Sequence, residues 1–265
     1  MHALYRDHMG DDLSVVQDAR ISFASSTDAV AWEEYEIPQL CKTAKRSSTK
    51  IPILNQRDAG LIRFLARGCT TEKWEKAINS IGEFSTEDEI EELLKWAKRL
   101  PTHWTPFGQQ QIKLTMKAPI PIRTQSFKSK MGFVENEESR RYIKSTPELF
   151  IPDFRSAPEG DIKQGSGGIH PLNGEWQNQY IAQCNQAIST YENMIAGGVA
   201  PEQARFILPQ GCYVNWVWNG SLYAYAEFCN KRKEEHAQGE IQELAKAIDP
   251  IMKTLFPLSW EALTG

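Results

Sequence analysis

Alternation of apolar and polar positions is clearest from Gln111. There Ile112, Leu114 and Met116 face one way and Lys113, Thr115 and Lys117 the other, which predicts a half-buried strand. Cys212 to Trp218 alternates similarly, and Asn219-Gly-Ser-Leu then caps a helix running to Arg232. Helical spacing governs most of the rest. Asn55 caps and Gly68 stops a helix with Leu61, Phe64 and Leu65 on one face. Leu13, Val16 and Ala19, behind Asp11 and Asp12, predict a short helix leading into an extended Ile-Ser-Phe that ends at Phe23. Thr71 to Ile81 and Ser85 to Leu100 predict two more helices. The second opens with Ser85 and Thr86 ahead of Asp88 and Glu89, which is capping-box chemistry, and Glu87, Glu89, Glu91 and Glu92 form a solvated face. Thr27 to Lys45 reads as irregularly helical, broken at Pro38. Trp176 to Ala196 is a long amphipathic helix ended by Gly197-Gly198, with Pro201 in the first turn of the next. Beyond Arg232 the helical pattern continues through Ile248 and stops before Phe256-Pro257. Between Tyr142 and Trp176, Pro147, Pro152, Pro158 and Gly165-Ser-Gly-Gly168 predict a flexible surface loop; no Gly-Lys-[Ser/Thr] follows that would make it a phosphate loop.

With 265 residues, 41% hydrophobic, the chain can bury one large core or two small ones, and a single domain over 1–265 is the simpler expectation. A net charge of -4 gives no general attraction to nucleic acid or to an anionic membrane. The five cysteines, Cys41, Cys69, Cys184, Cys212 and Cys229, are dispersed and never form a Cys-x-x-Cys pair. Reduced thiols in a cytoplasmic compartment follow, rather than a disulfide frame or a zinc site. No apolar run approaches a membrane span, and the N-terminus lacks a signal-peptide core.

Cationic chemistry is concentrated between Arg123 and Tyr142. Arg123, Lys128, Lys130, Arg140 and Arg141 alternate there with Gln125, Ser126, Ser129, Asn136 and Ser139, and with Glu135, Glu137 and Glu138. Such a set suits a polyanionic ligand carrying a hydrogen-bonding ring. The residue types alone equally describe a solvated, charge-mixed loop.

Asn136-Glu-Glu-Ser-Arg-Arg-Tyr142 resembles the NExSxRY end of the signature of flavin-dependent thymidylate synthases. The Arg-His-Arg triplet that stands upstream in that family is replaced by Lys128-Ser129-Lys130 behind Gln125, and the loop from the triplet to Asn136 is one residue longer. Four further segments match in order. Asp12-Leu-Ser-Val-Val and Ala-Arg-Ile-Ser-Phe23 resemble the family's N-terminal segment; Thr102-His-Trp-Thr-Pro-Phe-Gly-Gln109 resembles its H-x-[ST]-P-F-x-H turn, with Gln109 for the second His; Gly198 to Pro209 resembles G-V-x-x-E-x-A-R-x-x-L-P; and Arg232-Lys-Glu-Glu-His-Ala-Gln-Gly-Glu-Ile241 resembles R-x-x-x-H-A-Q-x-E-I.

The resemblance implies an α/β (α+β) flavin-dependent thymidylate synthase-like fold, with residues 69–100 as a helical insertion. It implies a homotetramer with active sites between subunits, binding FAD and converting dUMP with methylenetetrahydrofolate as carbon donor and NADPH as reductant. Ser22, His103, Thr105, Lys128, Ser129, Lys130, Glu137, Ser221 and His236 inherit places beside the cofactor, and Arg20 flanks the site. Gln125, Glu137, Glu138, Ser139, Arg141, Arg205 and Arg232 inherit the nucleotide: Arg141, Arg205 and Ser139 at the phosphate, Arg232 against the pyrimidine. Ser139 and Arg232 are the catalytic candidates. Outside the resemblance, Ser22 reads as a strand-edge serine, Arg205 as a surface ion-pair former, and His236 with Glu240 as an i,i+4 helix-face pair rather than a metal site. Two alternatives to dTMP formation remain: altered one-carbon chemistry such as hydroxymethylation, prompted by the lost Arg-His-Arg, and a non-catalytic nucleotide- or flavin-binding protein.

Overall fold

The computed structural model describes residues 1–22, 30–82, 85–158 and 165–265. Its elements are β1 (His2–Met9), α1 (Asp12–Ile21), β2 (Ala31–Glu36), β3 (Ser48–Ile53), α2 (Gln56–Arg67), α3 (Thr71–Ile78), α4 (Glu87–Lys98), α5 (Thr105–Gln109) and β4 (Gln111–Pro119). There follow α6 (Ile120–Ser126), β5 (Phe133–Glu137), α7 (Asn173–Ala196), α8 (Pro201–Ala204), a 3-10 turn (Arg205–Ile207), β6 (Tyr213–Ser221), α9 (Leu222–Arg232), α10 (Gly239–Leu255) and α11 (Pro257–Thr264). The mixed helix-and-strand class expected from the sequence is the one found.

Two compact units share the chain, each drawn from three separate stretches. One holds Met1–Leu4, Leu114–Trp218 and Asn230–Ala247; the other holds Tyr5–Lys113, Asn219–Cys229 and Ile248–Gly265. The four-stranded sheet has the order β1-β4-β6-β5.

In the first unit the alternation of β4 and β6 does what the sequence predicts. Leu114, Met116, Trp216 and Trp218 are buried, and the residues between them are half-buried. Phe133 of β5 stacks on Trp218 at 4.0 Å between ring centroids, and Phe127 meets Trp216 edge-on at 5.7 Å. Those aromatic pairs pin the chain to the sheet on either side of the Lys128–Gly132 turn.

In the second unit α1, α2 and α11 pack together. Asp11 caps α1 by accepting from the Ser14 amide at 2.8 Å, and Asn55 caps α2 by accepting from the Asp58 amide at 2.9 Å, while Gly68 ends α2 with φ +71°. Asp12 reaches the first turn of α11, accepting from the Leu258 amide at 2.8 Å, the Ser259 amide at 3.0 Å and the Ser259 hydroxyl at 2.5 Å. The Thr86–Glu89 capping box of α4 forms as expected, and neither α3 nor α4 buries a residue in a core.

Several elements differ from the sequence reading. The stretch read as irregular helix holds strand β2, which pairs antiparallel with β3 from Ala31↔Ile53 to Glu36↔Ser48. Its state is decided by that ladder and not by local propensity. Strand β1 and helix α11 carry no strong local signal and are not expected from the sequence. Ile21 closes α1 and Ser22 stays helical at φ -61°, ψ -19°, so the expected extended segment does not begin there; Phe23 lies outside the described residues. Ile62 and Leu65 are the buried apolar positions of α2, whereas Phe64 is exposed. The helix read from Leu222 through Ile248 is broken at 233–238. Gln242 Nε2 donates to the carbonyls of Glu235 at 3.3 Å and Ala237 at 2.9 Å, satisfying the interruption. A Cβ on Gly239 would stand 3.1 Å from the Arg155 guanidinium, so glycine permits the close approach at the start of α10.

Candidate active site

The cationic stretch is a ladder of paired charges. Residues Phe133, Glu135 and Glu137 of β5 share its inward face, as period two requires. Glu137 approaches Arg123 Nε at 3.0 Å, and Glu135 pairs with Lys130. Both cations also lie on one ring: Arg123 is 5.3 Å and Lys130 5.4 Å from the Phe127 centroid. Burial raises the Glu137 carboxyl above its ordinary range; Arg123 works against that, and Glu138 adds to it. Glu138 itself is tied to β6, accepting from Asn215 Nδ2 at 3.0 Å while its amide donates to the Asn215 carbonyl at 2.9 Å. Of the expected cofactor triplet, Lys128 is exposed, Ser129 half-buried and Lys130 already neutralised.

Of the expected phosphate ligands, Arg141 is the one paired with a carboxylate among the described residues. Arg141 Nε contacts Glu202 of α8 at 3.3 Å, both side chains being half exposed, and Arg205 begins the turn that follows α8. No ion pair among the described residues holds the Arg205 guanidinium. Ser139 Oγ accepts from the Arg141 amide at 3.3 Å, leaving its hydroxyl proton free to be donated elsewhere.

At the end of α9, Arg232 Nη2 donates to the Gln125 carbonyl at a long 3.5 Å, and Gln125 Nε2 donates to Gln238 Oε1 at 2.6 Å. The Arg232 Nε is buried and has no hydrogen-bond partner among the described residues. A guanidinium edge in that state asks for an acceptor. Gln125 and Arg232, assigned to the same ligand on sequence grounds, are therefore brought together.

His236 stands elsewhere in this unit. It is exposed in the turn between α9 and α10 and lines a cleft of about 310 Å³ with Arg155, Ser166 and Gln242. The expected His236–Glu240 helix face is absent because the helix breaks. Glu240 instead accepts from Arg155 Nη2 at both carboxylate oxygens, at 2.9 and 2.7 Å. Burial pushes the Glu240 carboxyl up, yet the hydrogen bonds from Arg155 prevail and hold it below its ordinary range. Sequence reasoning missed Arg155; its only sequence signal is an arginine isolated in a proline-rich loop. Among the described residues no group of three His, Cys, Asp or Glu side chains is arranged to hold a metal ion.

The second unit contains an apolar cleft of about 560 Å³. Ser22, His103 and Thr105 line it together with Asp18, Phe64 and Leu65. Three residues assigned to the cofactor from two sequence segments thus share one space. Phe64 stacks on His103 at 6.1 Å with 21° between planes, and the His103 amide donates to the Leu65 carbonyl at 2.8 Å. Asp18 accepts from Gln110 Nε2 at 2.8 Å, and the Arg20–Asp58 ion pair, with Asp58 fully buried, locks α1 to α2 behind the cleft. Ser221 does not line this space. It is buried, its Oγ accepting from the Ala224 amide at 3.1 Å as the cap of α9.

A family model described as "Thymidylate synthase complementing protein" matches residues 52–258. The chain belongs to that family. Among relatives of this family member, a flavin-dependent thymidylate synthase of Thermus thermophilus is 27% identical over 257 residues, which is 97% of this chain and 73% of that one. The flavin-dependent thymidylate synthase of Thermotoga neapolitana is 29% identical over 219 residues, covering 80% and 93%. The solved UMP/dUMP methylase PolB from Streptomyces cacaoi, bound with 5-Br dUMP, shares the fold with a TM-score of 0.68 at 20% identity, over 99% of this chain and 94% of that one. Family membership makes the chain an enzyme of the flavin-dependent thymidylate synthase type, and no helix among the described residues is long and apolar enough to cross a membrane.

Proposed function

We propose that this enzyme methylates the pyrimidine ring of dUMP, with FAD as cofactor, methylenetetrahydrofolate as carbon donor and NADPH as reductant. The observation that carries the substrate half is the buried, unpartnered Nε of Arg232 beside Gln125. A uracil carbonyl is the acceptor that such an edge fits, and a cation there stabilises the negative charge that develops as C5 becomes nucleophilic. Arg141 and Arg205 hold the phosphate as paired guanidinium forks, with Ser139 donating a hydrogen bond.

The cofactor half rests on the cleft of Ser22, His103 and Thr105. Its apolar walls and the flat Phe64–His103 stack fit a planar ring system, so the residues present are compatible with a flavin. Bound FAD supplies hydride and one-carbon relay chemistry that these side chains lack. His103 and Phe64 orient the ring, and Ser22 and Thr105 offer hydroxyls to its polar edge. Residues of a second copy completing the site, in a homotetramer, belong to the same proposal.

The cysteines support a route without a thiolate. All five are buried, and burial pushes the Cys212 thiol up to about 11, so no accessible sulfur is poised to attack the ring. Incubation with dUMP, methylenetetrahydrofolate, NADPH and FAD, followed by mass spectrometry of the nucleotide, tests the reading. A product one methylene heavier than dUMP is expected. The departure at Lys128-Ser129-Lys130 favours one alternative, hydroxymethylation, which would add a further oxygen to that mass. UMP in a parallel reaction tests whether the ribose 2′ position is discriminated. An unchanged nucleotide in every arm would overturn the enzymatic reading.

A further inference from the structure

We propose that Glu135 is a built-in counter-ion that competes with a phosphorylated ligand for Lys130, and so sets the affinity of that ligand. The proposal rests on the reading that FAD binds this chain, and it concerns a residue to which that reading assigns no role. Lys130 stands in the replaced triplet, and Glu135 lies in the lengthened loop-to-strand segment that follows. Gly132, at φ +77°, turns the chain so that the Phe133 amide donates back to the Lys130 carbonyl at 3.3 Å. The reversal brings the start of β5 alongside Lys130, and period two then points Glu135 inward beside Glu137.

The resulting order is Glu135, Lys130, the Phe127 ring, Arg123, Glu137. Two cations within 5.3 and 5.4 Å of one ring centroid repel each other unless anions flank them. Here the anions are internal. The two pairs are unequal, however: the Lys130 side chain is 64% exposed against 24% for Arg123. An exposed ammonium pair contributes little to stability, and a dianionic phosphate is a stronger partner than one carboxylate. Lys130 can therefore be drawn to a ligand, whereas Arg123, less exposed and over the same ring, stays to hold Glu137. A phosphorylated ligand must displace Glu135 before it gains Lys130, and Glu135 lowers its affinity by that margin.

The test is a double-mutant cycle read by binding. Wild type, Glu135→Gln, Lys130→Met and the double variant are titrated with FAD by flavin fluorescence and with dUMP by calorimetry, at low and high salt. Thermal melts show that each variant is folded. Glu135→Gln is expected to tighten FAD about two- to five-fold, the size an exposed pair supplies, and to steepen its salt dependence. In the Lys130→Met background the same change is expected to have no effect, and dUMP binding is expected to be unmoved in all four. Tighter dUMP binding instead of tighter FAD binding would move the competition to the nucleotide phosphate and overturn the assignment to FAD. FAD binding that ignores or is weakened by Glu135→Gln, or an equal gain without Lys130, overturns the proposal alone. Failure of every folded form to bind FAD overturns the flavin reading, and this proposal with it.

Discussion

The Arg20–Asp58 pair of the second unit and the Arg141–Glu202 pair of the first are chemically alike and physically opposite. Asp58 is fully buried, is held also by Asn55 Nδ2 at 3.1 Å, and fixes α1 to α2 behind the apolar cleft. Arg141 and Glu202 are both about half exposed, at 3.3 Å, in a region where a ligand can reach them. A buried pair is costly to break because one desolvated charge is left behind; an exposed pair opens almost freely. The same chemistry therefore fixes two helices to each other in one unit and makes an easily opened surface contact in the other.

The sharpest way to break the comparison is to remove one carboxylate from each pair. Asp58→Ala should destabilise the chain by about 3–5 kcal/mol, because Arg20 keeps its charge in a buried place. Glu202→Gln should cost less than ~1 kcal/mol in the same urea titration and leave Arg141 freer for phosphate. Equal losses would mean that exposure does not separate the two.

Next in size come the ligand arginines. Arg232→Ala should lower kcat by about 10²-fold or more, as loss of a donor to a developing charge does, with a smaller change in the dissociation constant of dUMP. Equal losses in both would make Arg232 a binding residue only. Arg205→Ala should weaken dUMP at least about tenfold, matching ~1.5–3 kcal/mol for a charge-assisted hydrogen bond, and calorimetry reads it directly. An unchanged dissociation constant would remove Arg205 from the phosphate site.

The remaining effects are protonic and lie in the second unit. Burial raises Asp12 to about 6, so the stability linked to it is full below its ordinary value of 3.8 and is lost as pH rises through about 6. Burial, helped by Arg46, lowers His8 to about 4, so its contribution is full above 6.5 and is lost as pH falls toward about 4. The two trends oppose each other. His8→Gln should leave stability that declines as pH rises from about 4 to 6, and Asp12→Asn should leave one that rises, apart from a constant loss of about 1–3 kcal/mol for the amide left facing the Leu258 N–H. Urea titrations across that range distinguish the slopes.

Local rules explain what the sequence made legible. Asn55, Gly68, Thr86 and Glu89 mark helix ends because caps are chemistry between neighbours, and Ile112 to Met116 mark β4 because one face is buried. What stayed hidden depends on partners distant in sequence. The all-exposed Ala31–Glu36 becomes a strand only through β3, and the break after Arg232 accommodates Gly239 against Arg155. The candidate site divides in the same way. Ser22, His103 and Thr105 were found by resemblance and do share a cleft, and Gln125 meets Arg232. Ser221 turned out to be a helix cap and His236 to line a different cleft, because position in a motif does not say what a side chain will be needed for locally. Phe64 was read on one apolar face with Leu61 and Leu65 and is exposed, lining the cleft; nothing in a helical period distinguishes a core wall from a cleft wall.

The central claim, flavin-dependent methylation without a sulfur nucleophile, is tested most directly by following flavin absorbance under anaerobic conditions. The FAD-loaded chain should bleach on addition of NADPH. It should recover its oxidised spectrum when dUMP and methylenetetrahydrofolate are added together, with dTMP formed in equal amount to the flavin reoxidised. Formation of dTMP by the chain stripped of flavin, or a bleached flavin that never recovers while dUMP stays unchanged, would contradict the account.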